Sequence, residues 1–356
     1  MSARTLEEML RPEVARLTAY RVEDRPHRVK LDANENPYPL PAPVQGAVLE
    51  ALGRVQANRY PDPAGRAPKR LLAASLGVAP EQILLGNGSD ELIQLILMAV
   101  GKPGAAVLVP VPTFSMYGLT AQALGLRPVE VPPGEGFALD RAPFLRRLQE
   151  ARPVATFIAY PNNPTGNCYD GDTIRAGIAA APGLVILDEA YVDFSGKTFL
   201  PELAPHPHLL LLRTLSKVGL AGLRVGYLVG DEALIAELEK IRLPYNVNAY
   251  SQAAATVILR HRDLLLKQVR QIVAERERLA AALRVLPGLT VFPSEANFLL
   301  VRTARPAREL FRGLLDRGIL VRDFGEAPHL RDCLRITVGT PEENDALLRA
   351  LREVLA

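Results

Sequence analysis

Six short apolar runs recur through the middle of the chain, and they leave few folds open. They read "ILL" at 83–85, "AVLVP" at 106–110, "VATFIAY" at 154–160, "LVILD" at 184–188, "LLLL" at 209–212 and "VGYLVG" at 225–230. Successive side chains of a strand point to opposite faces, so a strand without polar alternation is buried on both sides. Most of the runs are separated by stretches with helical periodicity. Strands alternating with helices predict a mostly parallel central sheet flanked by helices, an α/β architecture. Ligands of such sheets bind outside the carboxyl ends of the strands. Polar and glycine-rich segments stand at those ends here: "GNGSDE", "PNNPTG" and "DEAY".

The remainder has a different pattern. Residues 231–283 read as helices, the second one long. After them come "LTVFP", "NFLLV", a helix near 305–317, "GILVR", "CLRITVG" and a final amphipathic helix. This predicts a smaller α+β lobe. Residues 1–30 read as an arm or helix that joins it, and "LDANENPYPLP" as an extended, proline-punctuated segment. The expected division is therefore 1–30, a large domain over 31–245 and a small domain over 246–356. A chain of 356 residues is long enough for two such lobes.

Several function classes drop out. A net charge of +3 with no clustered basic face gives no reason to expect nucleic acid. No run approaches the roughly 18 apolar residues a membrane span needs. The start, "MSARTLEEMLRPEV", carries acids and lacks the apolar region of a signal peptide. A cytoplasmic protein is expected. Cys168 and Cys333 have no metal-type spacing and read as reduced thiols. His206 and His208, in "PHPH", read as part of a surface loop, and no metal is expected.

The stretch "RTLSKVGLAGLRVG" at 213–226 carries the chemistry. Taken alone, a lysine is most often a solvated surface group. Lys217 instead has Leu215, Val218 and Leu220 around it, with Ser216 and Gly219 beside it. Desolvation penalises the ammonium form and so makes a nucleophilic amine. Such an amine can condense with a carbonyl. A P-loop lysine would need GxxxxGK[ST], which is absent.

Phosphate-suited groups lie nearby. Thr214, Ser216 and Arg224 supply two hydroxyls and a guanidinium. In "LLGNGSDELIQLI" the backbone of Gly88 and Ser89 opens a helix at Ser89-Asp90-Glu91, and a helix N-terminus attracts anions. Asp188 ends an apolar strand, where a buried carboxylate could hold a cationic ring nitrogen such as that of pyridoxal phosphate. Tyr191 and Asn163 could share the ring's O3′ oxygen, and Phe114 in "PVPTFSMYG" could stack on its face. Each of these is, singly, more often structural than functional.

Together, "PNNPTG", "LDEAY" and "TLSKVGLAGLRVG", in that order, resemble the fold-type I, aspartate-aminotransferase-like pyridoxal-phosphate enzymes over nearly the whole chain. The resemblance implies a large cofactor-binding domain and a smaller α+β domain. It makes Lys217 the lysine that carries the cofactor and later moves the proton. It puts Asp188 on N1, and Tyr191 and Asn163 on O3′. Gly88, Ser89, Asp90, Thr214, Ser216 and Arg224 then gather at the phosphate.

The outer segments "RPEVARLTAY", "LDANENPYP", "NRYPDP", "GNGSDELI", "GILVRDF" and "CLRITVGT" are most similar to the histidinol-phosphate aminotransferase group of that family. That likeness implies amino transfer between histidinol phosphate and 2-oxoglutarate, giving imidazole acetol phosphate and glutamate. It implies a homodimer in which Tyr60 reaches the partner's cofactor phosphate. Arg335 would bind the substrate carboxylate or phosphate, with Arg322 and Tyr20 helping, and Asn34 also belongs to the implied substrate-binding set. Arginine's planar fork suits both anions, and two arginines suit a phosphate. Three other readings share the fold. They are a threonine-phosphate decarboxylase, an aromatic amino-acid aminotransferase and a non-catalytic regulator, the last of which would need a fused DNA-binding domain.

Overall fold

A computed structural model gives the fold and describes residues 9–19 and 25–356. Seven of the apolar or edge strands form one sheet. They are β2 (Ile83–Asn87), β3 (Ala106–Pro110), β4 (Arg127–Val131), β5 (Ala155–Ala159), β6 (Leu184–Asp188), β7 (Leu209–Thr214) and β8 (Val225–Gly230). Their order is β2-β8-β7-β6-β5-β3-β4. The run from β4 to β7 is parallel throughout. Strand β8 alone is antiparallel, to both β2 and β7. The reason is its connection. Residues 215–224 are too few for the helical crossover that a parallel neighbour requires, so the chain turns straight back. That short connection holds Lys217.

The strands are as buried as their composition predicts. Leu209 to Leu212 and Leu108, Ile158 and Ile186 are fully enclosed. Strand β4 was not among the six predicted runs. It is an edge strand whose exposed Arg127 and Glu130 break the apolar pattern.

The second sheet has five strands in the order β1-β11-β12-β10-β9. It is built from β1 (Val29–Leu31), β9 (Leu289–Val291), β10 (Phe298–Thr303), β11 (Ile319–Asp323) and β12 (Cys333–Thr337). Strand β1 runs parallel to β11, and the remaining pairs are antiparallel. The helices Ala307–Asp316 and Pro341–Leu355 cover this sheet, with Leu310, Leu314, Leu347 and Leu351 in the shared core.

Two details differ from the sequence reading. The helix Ala249–Arg260, expected in the smaller lobe, packs beside the large sheet. Its Ala254, Ala255 and Ile258 share a core with Val44, Leu72 and Leu85. Small residues on that face allow close approach to the helices Ala42–Gly53 and Arg66–Leu76. The arm also divides. Strand β1 joins the small sheet, but the turn of helix Pro12–Ala15 buries none of its residues and lies near Gly125, beside the large sheet. A helix without an apolar face has nothing to dock on the small lobe. Both cysteines are free thiols. Among the described residues, no helix is long and apolar enough to cross a membrane.

Candidate active site

The carboxyl ends of β2, β3, β5, β6 and β7 lie on one edge of the large sheet, and each delivers one segment. The lysine loop leaves β7 as a wide helical turn, Ser216–Leu220, broken at Gly219 with φ 113°. A side chain at 219 would meet the Asn36 amide at 3.1 Å. Its absence lets Asn36 donate to the Val218 carbonyl at 3.2 Å. Segment 33–36 thereby closes over the loop, and Lys217 Nζ donates to the Ala33 carbonyl at 3.4 Å. Burial, helped by the Arg335 charge, lowers the Lys217 ammonium from its ordinary 10.5 to about 8. The glycine-spaced, apolar company of this lysine thus enforces desolvation.

Asp188 is buried at the end of β6. Its Oδ2 accepts from the Tyr117 hydroxyl at 2.5 Å and its Oδ1 from the Ala190 amide at 3.0 Å. Burial raises its pKa to about 6, and these two donors work against the rise. Glu189 points to the other face, as adjacent strand residues must. There it accepts from Arg213 Nε at 2.9 Å and Nη2 at 2.6 Å, and from the Phe199 amide at 2.7 Å. This buried pair joins the ends of β6 and β7, the two strands that present Asp188 and Lys217.

The Tyr191 ring centroid lies 5.9 Å from Lys217 Nζ. Its hydroxyl accepts from Asn34 Nδ2 at 2.8 Å. Asn34, left-handed at φ 55°, is itself fastened by Thr337 and Asn297 of the small lobe. Arg335 Nη1 donates to Asn163 Oδ1 at 2.5 Å, and its Nη2 donates to the Asp32 carbonyl. Arg322 and Arg335 are partners in the β11–β12 register. Residues directly opposite in an antiparallel pair project from the same face.

The third component is a cradle at the start of the helix Ser89–Val100. Gly88 has φ 82° and no side chain caps the helix. A Cβ at Gly88 would lie 2.5 Å from Arg224 Nη2, and one at Gly226 would lie 2.6 Å from the Ser89 amide nitrogen. Both glycines are therefore required for the guanidinium and the backbone to converge. Asp90 meets Arg224 at 3.3 Å, and the Thr214 hydroxyl donates to Ser216 Oγ at 2.9 Å. Helix N–H groups, two hydroxyls and a guanidinium make a donor set for a phosphate.

Most of the expected residues therefore converge: Asn34, Gly88, Ser89, Asp90, Asn163, Asp188, Tyr191, Thr214, Ser216, Lys217, Arg224 and Arg335. Phe114 stands at the same sheet edge, edge-on to Tyr117 with centroids 5.6 Å apart. Tyr60 does not join them. It is 80% exposed and stacks on Tyr245 at 4.5 Å. Tyr20 lies outside the described residues. Tyr117 was missed. Its position three residues after Phe114, at the start of a helix following β3, was the available signal.

With this geometry in place, the comparisons with known proteins are specific. The model of the family described as aminotransferase class I and II matches residues 26–351. The chain is 49% identical to histidinol-phosphate aminotransferase 2 of Nitrosococcus oceani over 346 residues, 96% of each chain. It is 46% identical to histidinol-phosphate aminotransferase of Methylibium petroleiphilum, over 99% of this chain and 96% of the relative. Among solved structures, histidinol-phosphate aminotransferase from Sinorhizobium meliloti, in complex with pyridoxal-5'-phosphate, superposes with a TM-score of 0.89. The identity there is 29%, over 99% of this chain and 98% of the other.

Proposed function

The chain belongs to the aminotransferase class I and II family, and from that premise we infer that it is a pyridoxal-phosphate enzyme transferring an amino group between histidinol phosphate and 2-oxoglutarate. The products are imidazole acetol phosphate and glutamate, a step of histidine biosynthesis. The observation that carries the substrate assignment is the pair Arg322 and Arg335. They stand opposite each other on one face, and Arg335 lies close enough to Lys217 to depress its pKa. Two guanidinium forks on one face suit a phosphate as well as a carboxylate.

The residues present fit pyridoxal phosphate. The glycine-lined cradle of Gly88, Ser89, Thr214, Ser216 and Arg224 takes its phosphate, beside Asp90. Asp188 would hold the ring nitrogen, Tyr191 and Asn163 the O3′ oxygen, Phe114 would cover a ring face, and Lys217 would be the residue that carries the cofactor. When bound, the cofactor supplies an electron sink for the charge left on a substrate carbon that has lost its proton.

The chain does the rest. Lys217 Nζ, with its lowered pKa, would take the proton from the substrate Cα. The buried Asp188 carboxylate favours a positive ring nitrogen. Arg335 and Arg322 grip the anionic end of each substrate in turn, a phosphate in one half-reaction and a carboxylate in the other. Segment 33–36 is tied to both lobes and covers one side of the amine, which donates to the Ala33 carbonyl.

The same reading makes the enzyme a cytoplasmic homodimer. The homodimer is supported by the exposed apolar side chains Tyr60, Leu243, Tyr245 and Tyr250, of which Tyr60 and Tyr245 stack on each other. In that dimer Tyr60, exposed and stacked on Tyr245, would reach the partner's phosphate cradle. Tyr20 is assigned to the substrate on the same footing.

The test is product analysis on purified, cofactor-loaded protein. Glutamate should appear only when histidinol phosphate and 2-oxoglutarate are both supplied. Release of CO₂ from threonine phosphate without 2-oxoglutarate would assign it to the decarboxylases instead.

A further inference from the structure

The geometry points to Tyr117 as a positioning residue that sets where the proton shared by Asp188 and the cofactor's ring nitrogen resides. This rests on the reading that Asp188 faces that nitrogen. Tyr117 is fully buried and 71 residues away in sequence. Its ring stacks on Phe157 at 4.9 Å and meets Phe114 edge-on, so it has no freedom to leave.

Its hydroxyl points at Asp188 Oδ2 at 2.5 Å. The direction of that bond is unambiguous. Burial and the neighbouring carboxylate push the phenol well above its ordinary pKa, so Tyr117 is the donor and Asp188 the acceptor. A donor to a carboxylate stabilises its charged form and lowers its basicity. The other groups acting on Asp188 are the Ala190 amide and the Lys217 charge, which also favour the anion, and Asp90, which opposes it. Tyr191 lies near as a neutral phenol.

The consequence concerns one proton. A buried carboxylate without Tyr117 would be basic enough to draw the proton from the pyridine nitrogen. The pair would then be neutral, and the ring would be a weaker electron sink. With Tyr117 in place the carboxylate stays anionic and leaves the proton on the nitrogen. Phe at this position would keep both ring contacts and remove only the hydroxyl.

The readout is the ¹⁵N resonance of N1 in holoprotein loaded with ¹⁵N-labelled pyridoxal phosphate. In wild type N1 should be protonated at neutral pH. In Tyr117→Phe the ratio of protonated to unprotonated N1 should fall by roughly tenfold or more, the effect of losing one hydrogen bond to a charged group. Tyr117→3-fluorotyrosine, a better donor, should move the balance the other way, and it serves if Tyr117→Phe does not fold. In an Asp188→Asn background, Tyr117→Phe should have no further effect. An N1 signal unchanged in Tyr117→Phe would overturn this inference alone. Unprotonated N1 in wild type would sink the reading of Asp188 and this inference with it.

Discussion

Arg322 and Arg335 stand directly opposite one another across β11 and β12, on the same face of the small sheet. Arg335 is also anchored to Asn163 and to the Asp32 carbonyl. Held in this way, Arg335 should serve both anions. Arg335→Ala should lower kcat/KM for histidinol phosphate and for 2-oxoglutarate alike, by roughly a hundredfold or more. Arg322→Ala should weaken histidinol phosphate more than 2-oxoglutarate. Steady-state kinetics on both substrates checks this, and equal losses from Arg322→Ala would count against a two-arginine phosphate site.

Lys217 should cost the cofactor-free protein stability. Its pKa is about 8 when folded, against 10.5 as the ordinary value. Between those pH values the unfolded chain holds more protons, so stability rises with pH across the window. Below pH 8 the full penalty applies, up to about 3 kcal/mol. Cofactor-free Lys217→Met should therefore be the more stable protein at pH 7, with the gap closing from pH 8 to 10.5. Denaturant melts at several pH values measure it, and equal stability at pH 7 would mean the amine is not desolvated.

Gly88 should be intolerant of any side chain. The added methyl of Gly88→Ala would sit 2.5 Å from Arg224 Nη2, at a φ of 82°. The guanidinium must shift from its place beside the helix start. Affinity for pyridoxal phosphate should fall roughly tenfold or more, equivalent to about 1.4 kcal/mol. Equilibrium dialysis with the cofactor reads the change directly, and pyridoxal without its phosphate should show little difference between the two proteins.

The Glu189–Arg213 pair is a structural prediction. Both side chains are almost wholly buried, with Nη2 to Oε2 at 2.6 Å. Removing one partner strands the other charge. Glu189→Ala should lose about 3–5 kcal/mol of stability in urea unfolding. A loss below about 1 kcal/mol would mean that water reaches Arg213.

What could be read from the sequence was local. The lysine loop, the Asp188 strand end and the Gly88 turn each show their chemistry within a dozen residues. The topology orders them, because strand ends of an α/β sheet converge. Contacts between distant residues were not legible. Tyr117 meets Asp188, and Asn34 meets Tyr191, through packing that no short window contains. The helix Ala249–Arg260 was assigned to the wrong side for a similar reason. Periodicity says that a helix has an apolar face, not which sheet receives it. Strand β4 was not legible because its exposed Arg127 and Glu130 interrupt the continuous apolar signature.

The most decisive experiment sets histidinol phosphate against histidinol, the same amine without its phosphate, with 2-oxoglutarate as acceptor. Two arginines gripping the phosphate should favour the ester by roughly a hundredfold or more in kcat/KM. Similar values for the two amines, or faster turnover of phenylalanine than of histidinol phosphate, would contradict the account.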